Sequence, residues 1–343
     1  MHRGHRRHCL GPAIITGATL LVIAAVGIGP AVAGPDAGRP SGSAAAGSTG
    51  GSVDTVGFGP VQTSWAAATS YARTRPDVAP PGTNDWSCLP SAAHPRPVLL
   101  VHGTWSNAYG FAGLSRPLAE AGYCLFTFNY GAADLAGGGG VMPMMRPAVY
   151  GAGDIAESAR QLARFVERVL AATGASAVDI VGHSQGGPMS RWYLRYEGGA
   201  AVVRREITIG ATNHGTTMAG IGALGRAVAD LGGPALGLVV GRATSQQIAG
   251  SEFLTALNAG GDTVPGVEYT VIGTRYDTVS TPYEATFLEA GPGAPVANIT
   301  LQDGCEQDRS DHFEMVYSPR TLSIILAALD PGTGSTPTCT AYG

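Results

Sequence analysis

The chain has 343 residues, of which 44% are hydrophobic and 13% charged, with a formal charge of −4 and 51 glycines. The charged share is about half the usual value of roughly 25%. These figures exclude a coiled coil, a collagen and a highly charged disordered chain. Every basic residue is arginine, and no basic stripe of the kind a nucleic-acid binder needs is present. No C-x-x-C spacing suggests a metal site.

The N-terminus reads as a targeting segment. Arg3, Arg6 and Arg7 precede an apolar run over 14–28, and Ala31-Val32-Ala33 follows. The run is about 15 residues, short of the ~20 needed to span a bilayer. This pattern predicts a signal peptide over 1–33, cleaved near Ala33, and therefore a secreted protein. Residues 34–60, rich in Gly, Ser, Ala and Pro, read as a flexible leader. Residues 61–343 are expected to form one catalytic domain.

Short apolar runs alternate with helical patterns along that domain. Strands are expected at 97–101, 124–128, 177–181, 205–209, 269–273 and 297–301. A helix starts at Asp154, with Glu157 as capping partner, and ends at Gly174. A second helix follows Gly186. A last one runs from Pro319, after the N-cap Ser318, to Leu329. Such alternation predicts an α/β fold with a doubly wound, mostly parallel sheet and helices on both faces.

The third strand runs into Gly182-His183-Ser184-Gln185-Gly186, and a helix follows. G-x-S-x-G between a strand and a helix is the setting in which a serine is exposed on a tight turn as a nucleophile. Its oxyanion needs two backbone N–H donors. Gln185 supplies one by position, and Thr104, at the end of the first strand, the other; the Thr104 hydroxyl is a candidate third. The base must follow the acid in chain order. His312, between the last strand and the last helix, fits, whereas His214 comes too early and reads as a loop-fixing residue. His102 lies inside a turn. Asp277, after the fifth strand, is the candidate acid, with Asp262, Asp303, Asp308 and Asp311 as rivals.

PVLLVHGTW at 97–105, VGHSQGG at 181–187, ATNHGT at 211–216, IGTRYDTVSTPY at 272–283 and NITLQDGCEQDRSDH at 298–312 occur in order. Together they resemble the secreted lipases and esterases of high-GC Gram-positive bacteria, α/β-hydrolases distantly similar to fungal lipase B. The resemblance implies hydrolysis of triacylglycerols or other acyl esters, by Ser184, Asp277 and His312, with Thr104 and Gln185 as oxyanion donors and no cofactor or metal. Val279-Ser280 departs from the family's Val-Val after the acid. An envelope acyltransferase and a non-catalytic lipid-binding homologue are the alternatives on the same fold.

Two further features lie outside the motifs. Residues 217–249 are mostly Gly, Ala, Leu and Val and read as a lid or cap facing a lipid–water interface; the Gly- and Met-rich stretch 131–147 is a second mobile candidate. Without Cys9 of the signal, four cysteines remain. Cys88 and Cys124 are expected at one edge of the sheet, and Cys305 and Cys339 around the loop of His312. That favours Cys88–Cys124 and Cys305–Cys339 over Cys88–Cys305 with Cys124–Cys339.

Overall fold

A computed structural model of the chain describes residues 56–75, 77–132, 150–230, 241–334 and 336–343. By its contacts the chain separates into units 1–46 and 47–343, and all described residues belong to the second. The signal peptide and most of the leader therefore lie outside the described residues, as do 133–149 and 231–240. Packing begins slightly before residue 61: Gly57 donates its N–H to Thr83, and Tyr109 donates its hydroxyl to the Pro60 carbonyl.

Six strands form the sheet: β1 (Val98–Val101), β2 (Leu125–Thr127), β3 (Val178–His183), β4 (Val203–Ile209), β5 (Glu268–Gly273) and β6 (Val296–Thr300). Their order is β2-β1-β3-β4-β5-β6, and every neighbouring pair is parallel. Parallel strands buried on both faces read as continuous apolar runs, because successive side chains serve opposite faces. β1 shows this directly. Val98 and Leu100 join the apolar cluster on one face, whereas Leu99 and Val101 join the cluster on the other.

The first face is covered by α1 (Trp65–Arg73) and α8 (Pro319–Leu329). The second is covered by α3 (Ile155–Thr173), α4 (Gly186–Tyr196) and α7 (Glu252–Asn258). α3 begins where Asp154 accepts the Glu157 N–H at 2.9 Å and ends at left-handed Gly174, φ 69°. Ser318 accepts the N–H groups of Arg320 and Thr321, and Pro319 opens α8. The short α2 (Ser115–Glu120), like α1 and α7, carried no sequence signal strong enough to mark it in advance.

The insertion between β4 and β5 contains α5 (Met218–Asp230) and α6 (Arg242–Gln246), followed by α7. Two disulfides form, Cys88–Cys124 and Cys305–Cys339, with Cα separations of 5.8 and 5.4 Å. The crossed pairing is absent. Among the described residues, no helix is long and apolar enough to cross a membrane.

Candidate active site

The site lies at the C-terminal edge of the parallel sheet, where ligands of open α/β sheets bind. β3 ends at His183 and α4 begins at Gly186, so Ser184 and Gln185 alone make the turn. Ser184 has φ 55°, a left-handed conformation that an L-residue adopts at a cost. Its backbone is held there: the Ser184 N–H donates to Ile209 at 2.9 Å and its carbonyl accepts from Gly187 at 3.1 Å. Gly186 permits the turn, since a β-carbon there would lie 2.4 Å from the Val101 carbonyl oxygen.

The loop after β1 packs directly on the serine. A β-carbon at Gly103 would lie 2.8 Å from Ser184 Cβ. This brings Thr104 alongside Gln185, and their side chains meet: Thr104 Oγ1 donates to Gln185 Oε1 at 2.6 Å. The hydroxyl proton is thus engaged with Gln185. Neither the Thr104 nor the Gln185 backbone N–H donates a hydrogen bond among the described residues.

His312 and Asp277 come together at the end of β5. His312 Nδ1 and Asp277 Oδ2 are 2.8 Å apart, and both side chains are 1% exposed. Asp277 Oδ1 accepts the N–H groups of Val279 and Ser280 at 2.8 and 2.7 Å, which fixes the plane of the carboxylate. The Val-Ser departure leaves this intact, because backbone groups do the holding. The Ser280 hydroxyl donates to Gly210 at 2.8 Å. His312 Nε2 is buried and makes no hydrogen bond among the described residues, so it is available to a proton donor or acceptor.

The rival groups have other partners. Asp303 forms an exposed ion pair with Arg275. Asp311 accepts the N–H groups of Phe313 and Glu314. Asp308 is buried, accepting from Ser310 and Ser318. Asp262 pairs with His214 Nε2 at 3.0 Å, while His214 Nδ1 faces the Ala285 carbonyl at 3.1 Å. Two acceptors around one ring favour the charged imidazolium, and the Asp262 hydrogen bond pushes His214 upward. His102 stacks on Tyr130 with centroids 4.2 Å apart, and burial lowers it to about 4.

Two side chains next to the site were not singled out from sequence. His183 Nε2 donates to the His312 carbonyl at 2.9 Å. Gln247 Nε2 donates to Thr104 Oγ1 at 2.7 Å. His183 lay inside a motif read only for its serine and glycines. Gln247 sits in an apolar insertion with no motif around it. Among the described residues no cluster of His, Cys, Asp and Glu could hold a metal ion.

Among solved structures, lipase B of Aspergillus fumigatus is similar with a TM-score of 0.53 and 19% identity, covering 73% of this chain and 55% of the fungal one. The match therefore spans about half of the fungal chain. The lipase BlEst2 of Bacillus licheniformis in its mature form has a TM-score of 0.49 and 16% identity, covering 70% of this chain and 94% of that one. The first likeness establishes the α/β-hydrolase fold. The sequence pattern of the family Lipase (class 2) matches residues 95–321, from before β1 into α8, and the chain belongs to that family.

Proposed function

We propose that this protein is a secreted serine hydrolase that cleaves carboxylic esters of lipids through an acyl-enzyme on Ser184. The observation that carries the reading is the buried 2.8 Å contact between His312 and Asp277, tied by His183 to the turn that holds Ser184. Family membership supports an ester of a lipid as substrate.

In this mechanism His312 Nε2 takes the Ser184 proton as Oγ attacks the ester carbonyl. Asp277 orients the ring and stabilises the imidazolium. The oxyanion is received by the backbone N–H groups of Gln185 and Thr104, with the N-terminus of α4 adding a favourable dipole. His312 returns the proton to the leaving alcohol. Water, deprotonated by the same ring, then releases the acid. The residues named complete both half-reactions by proton transfer and hydrogen bonding.

The insertion after β4 serves as the lid at the lipid surface. Leu224 of α5 is buried on the core, while Met218 at its start is 69% exposed. The two disulfides are those of a chain folded in an oxidising compartment, which supports secretion. Hydrolysis of p-nitrophenyl esters of increasing acyl length, by wild type and by a variant shortened within 217–249 that keeps Gln247, tests this. The shortened variant loses more on water-insoluble esters than on soluble ones. Equal loss on both rejects the lid, and no turnover of any ester rejects the hydrolase.

A further inference from the structure

Gln247 follows α6 at the far foot of the insertion between β4 and β5. The two feet are tied by backbone hydrogen bonds. The Thr216 N–H donates to the Gln247 carbonyl at 2.8 Å, and the Ala249 N–H donates to the Thr216 carbonyl at 3.0 Å. From this bridge the Gln247 side chain runs inward and is 1% exposed.

Its orientation is decided by its partners. The Ala243 carbonyl can only accept, and the Gln247 atom facing it at 3.0 Å is therefore the nitrogen. The remaining N–H points at Thr104 Oγ1, 2.7 Å away, with Gln185 Oε1 at 3.3 Å. At the other end, Oε1 accepts the Thr212 hydroxyl at 2.8 Å. Because a donor presses on the Thr104 oxygen, the single proton of that hydroxyl must go to an acceptor, and Gln185 Oε1 takes it. Thr104, Gln185 and Gln247 thus form a buried set of linked side chains, with Gln185 Nε2 left without a hydrogen bond among the described residues.

Thr104 and Gln185 are the two residues whose backbone N–H groups receive the oxyanion in the proposed mechanism. Such donors act through preorganisation, so a group that locks both side chains controls how well the N–H groups are aimed. We infer that Gln247 is a positioning residue of the oxyanion hole, through which the insertion at the site's rim sets the geometry of both donors. The inference rests on the assignment of Thr104 and Gln185 to that hole.

The experiment compares wild type, Gln247→Leu, Gln247→Glu, Thr104→Val and the Thr104→Val/Gln247→Leu double variant. Each is labelled with a fluorophosphonate and assayed on a soluble p-nitrophenyl ester. Removing a whole oxyanion donor costs about 100- to 1000-fold in kcat. Misaiming the donors in Gln247→Leu is expected to lower kcat by about 10- to 100-fold with KM little changed. The double variant is little worse than the worse single one, because both changes break one network. An ionised glutamate offers only acceptors to the Thr104 oxygen, whereas a protonated one regains a donor. The kcat of Gln247→Glu relative to wild type therefore rises as pH falls. Unchanged kcat in Gln247→Leu with Ser184 still labelled overturns the inference, as do additive losses in the double variant. If Gln247→Leu does not fold, a pH-independent ratio for Gln247→Glu overturns it instead. Failure of the wild type to label at Ser184 counts against the hydrolase reading itself, and is thereby distinguished.

Discussion

His183 Nε2 donates a hydrogen bond to the backbone carbonyl of His312 at 2.9 Å, joining residues 129 positions apart in the chain. A carbonyl only accepts, so the proton must be on this nitrogen. Burial and the neighbouring His312 lower His183 to about 3, which keeps the ring neutral while it donates. The residue immediately before Ser184 thus clamps the loop that carries His312.

Replacing His183 by Leu removes the donor and leaves a buried carbonyl unpaired, at a cost of about 1–3 kcal/mol. The loop loosens, and ester turnover falls by about tenfold or more while KM changes little. Urea denaturation and steady-state kinetics on a soluble ester measure the two effects. Wild-type kcat in His183→Leu would show that the clamp has no part in aligning the site.

Stability depends on pH from both sides. His102 and His183 are lowered to about 4 and about 3, whereas unfolded histidine titrates near 6.5. The stability they contribute is present above pH 6.5 and is lost as pH falls toward those values, because only the unfolded chain takes up the protons. Glu206 on β4 acts in the opposite sense. Its carboxyl oxygens have no hydrogen-bond partner among the described residues, and burial raises it to about 8 despite the nearby Arg191. Stability is therefore lost as pH rises from about 4.5 to 8, where the unfolded chain ionises first. Glu206→Gln is expected to gain about 2–5 kcal/mol at pH 8 and little at pH 4, from the size of the shift. Denaturant titrations at the two pH values check it. An equal effect at both contradicts the burial argument.

Asp277 and Asp303 make opposite predictions. Asp277→Asn alters the group that faces His312 Nδ1, and turnover falls by orders of magnitude with the fold retained. Asp303→Asn breaks only the exposed pair with Arg275, and activity stays close to wild type. Circular dichroism and ester hydrolysis on the two variants decide this, and reversed results would move the acid to Asp303.

The two disulfides close loops of similar length, with separations of 36 and 34 residues. Chain entropy alone gives each about 3–4 kcal/mol. Cys305–Cys339 ties the tail to the loop leading into His312, whereas Cys88–Cys124 lies at the start of β2. Replacing both cysteines of each pair by serine is expected to lower thermal stability similarly. The Cys305–Cys339 variant loses more activity at a temperature where both remain folded. Equal activities there would show that the loop around His312 is held without its staple.

The strands and the serine turn were legible because burial on both faces of a parallel sheet leaves uninterrupted apolar runs. PVLLV and AVDIV carry that mark, and the glycines of G-x-S-x-G mark where the chain must bend. The pairing of Asp277 with His312 was legible through chain order. α1, α2 and α7 were not, since each is short and its periodicity covers too few turns. Gln247 was not either. Its role depends on a backbone bridge to Thr216 and on contacts with residues 62 and 143 positions away. The partner of the Thr104 hydroxyl was not legible for the same reason, because its acceptor comes from a different loop.

Ser184 as the nucleophile is tested by treating the protein with a fluorophosphonate ester and locating the adduct by peptide mass spectrometry. One stoichiometric adduct is expected, on the peptide containing Ser184, with loss of ester hydrolysis in proportion to labelling. Ser184→Ala, still folded, is expected to take up no label and to hydrolyse no ester above background. Hydrolysis by Ser184→Ala near the wild-type rate, or a stoichiometric adduct on another residue, would contradict it.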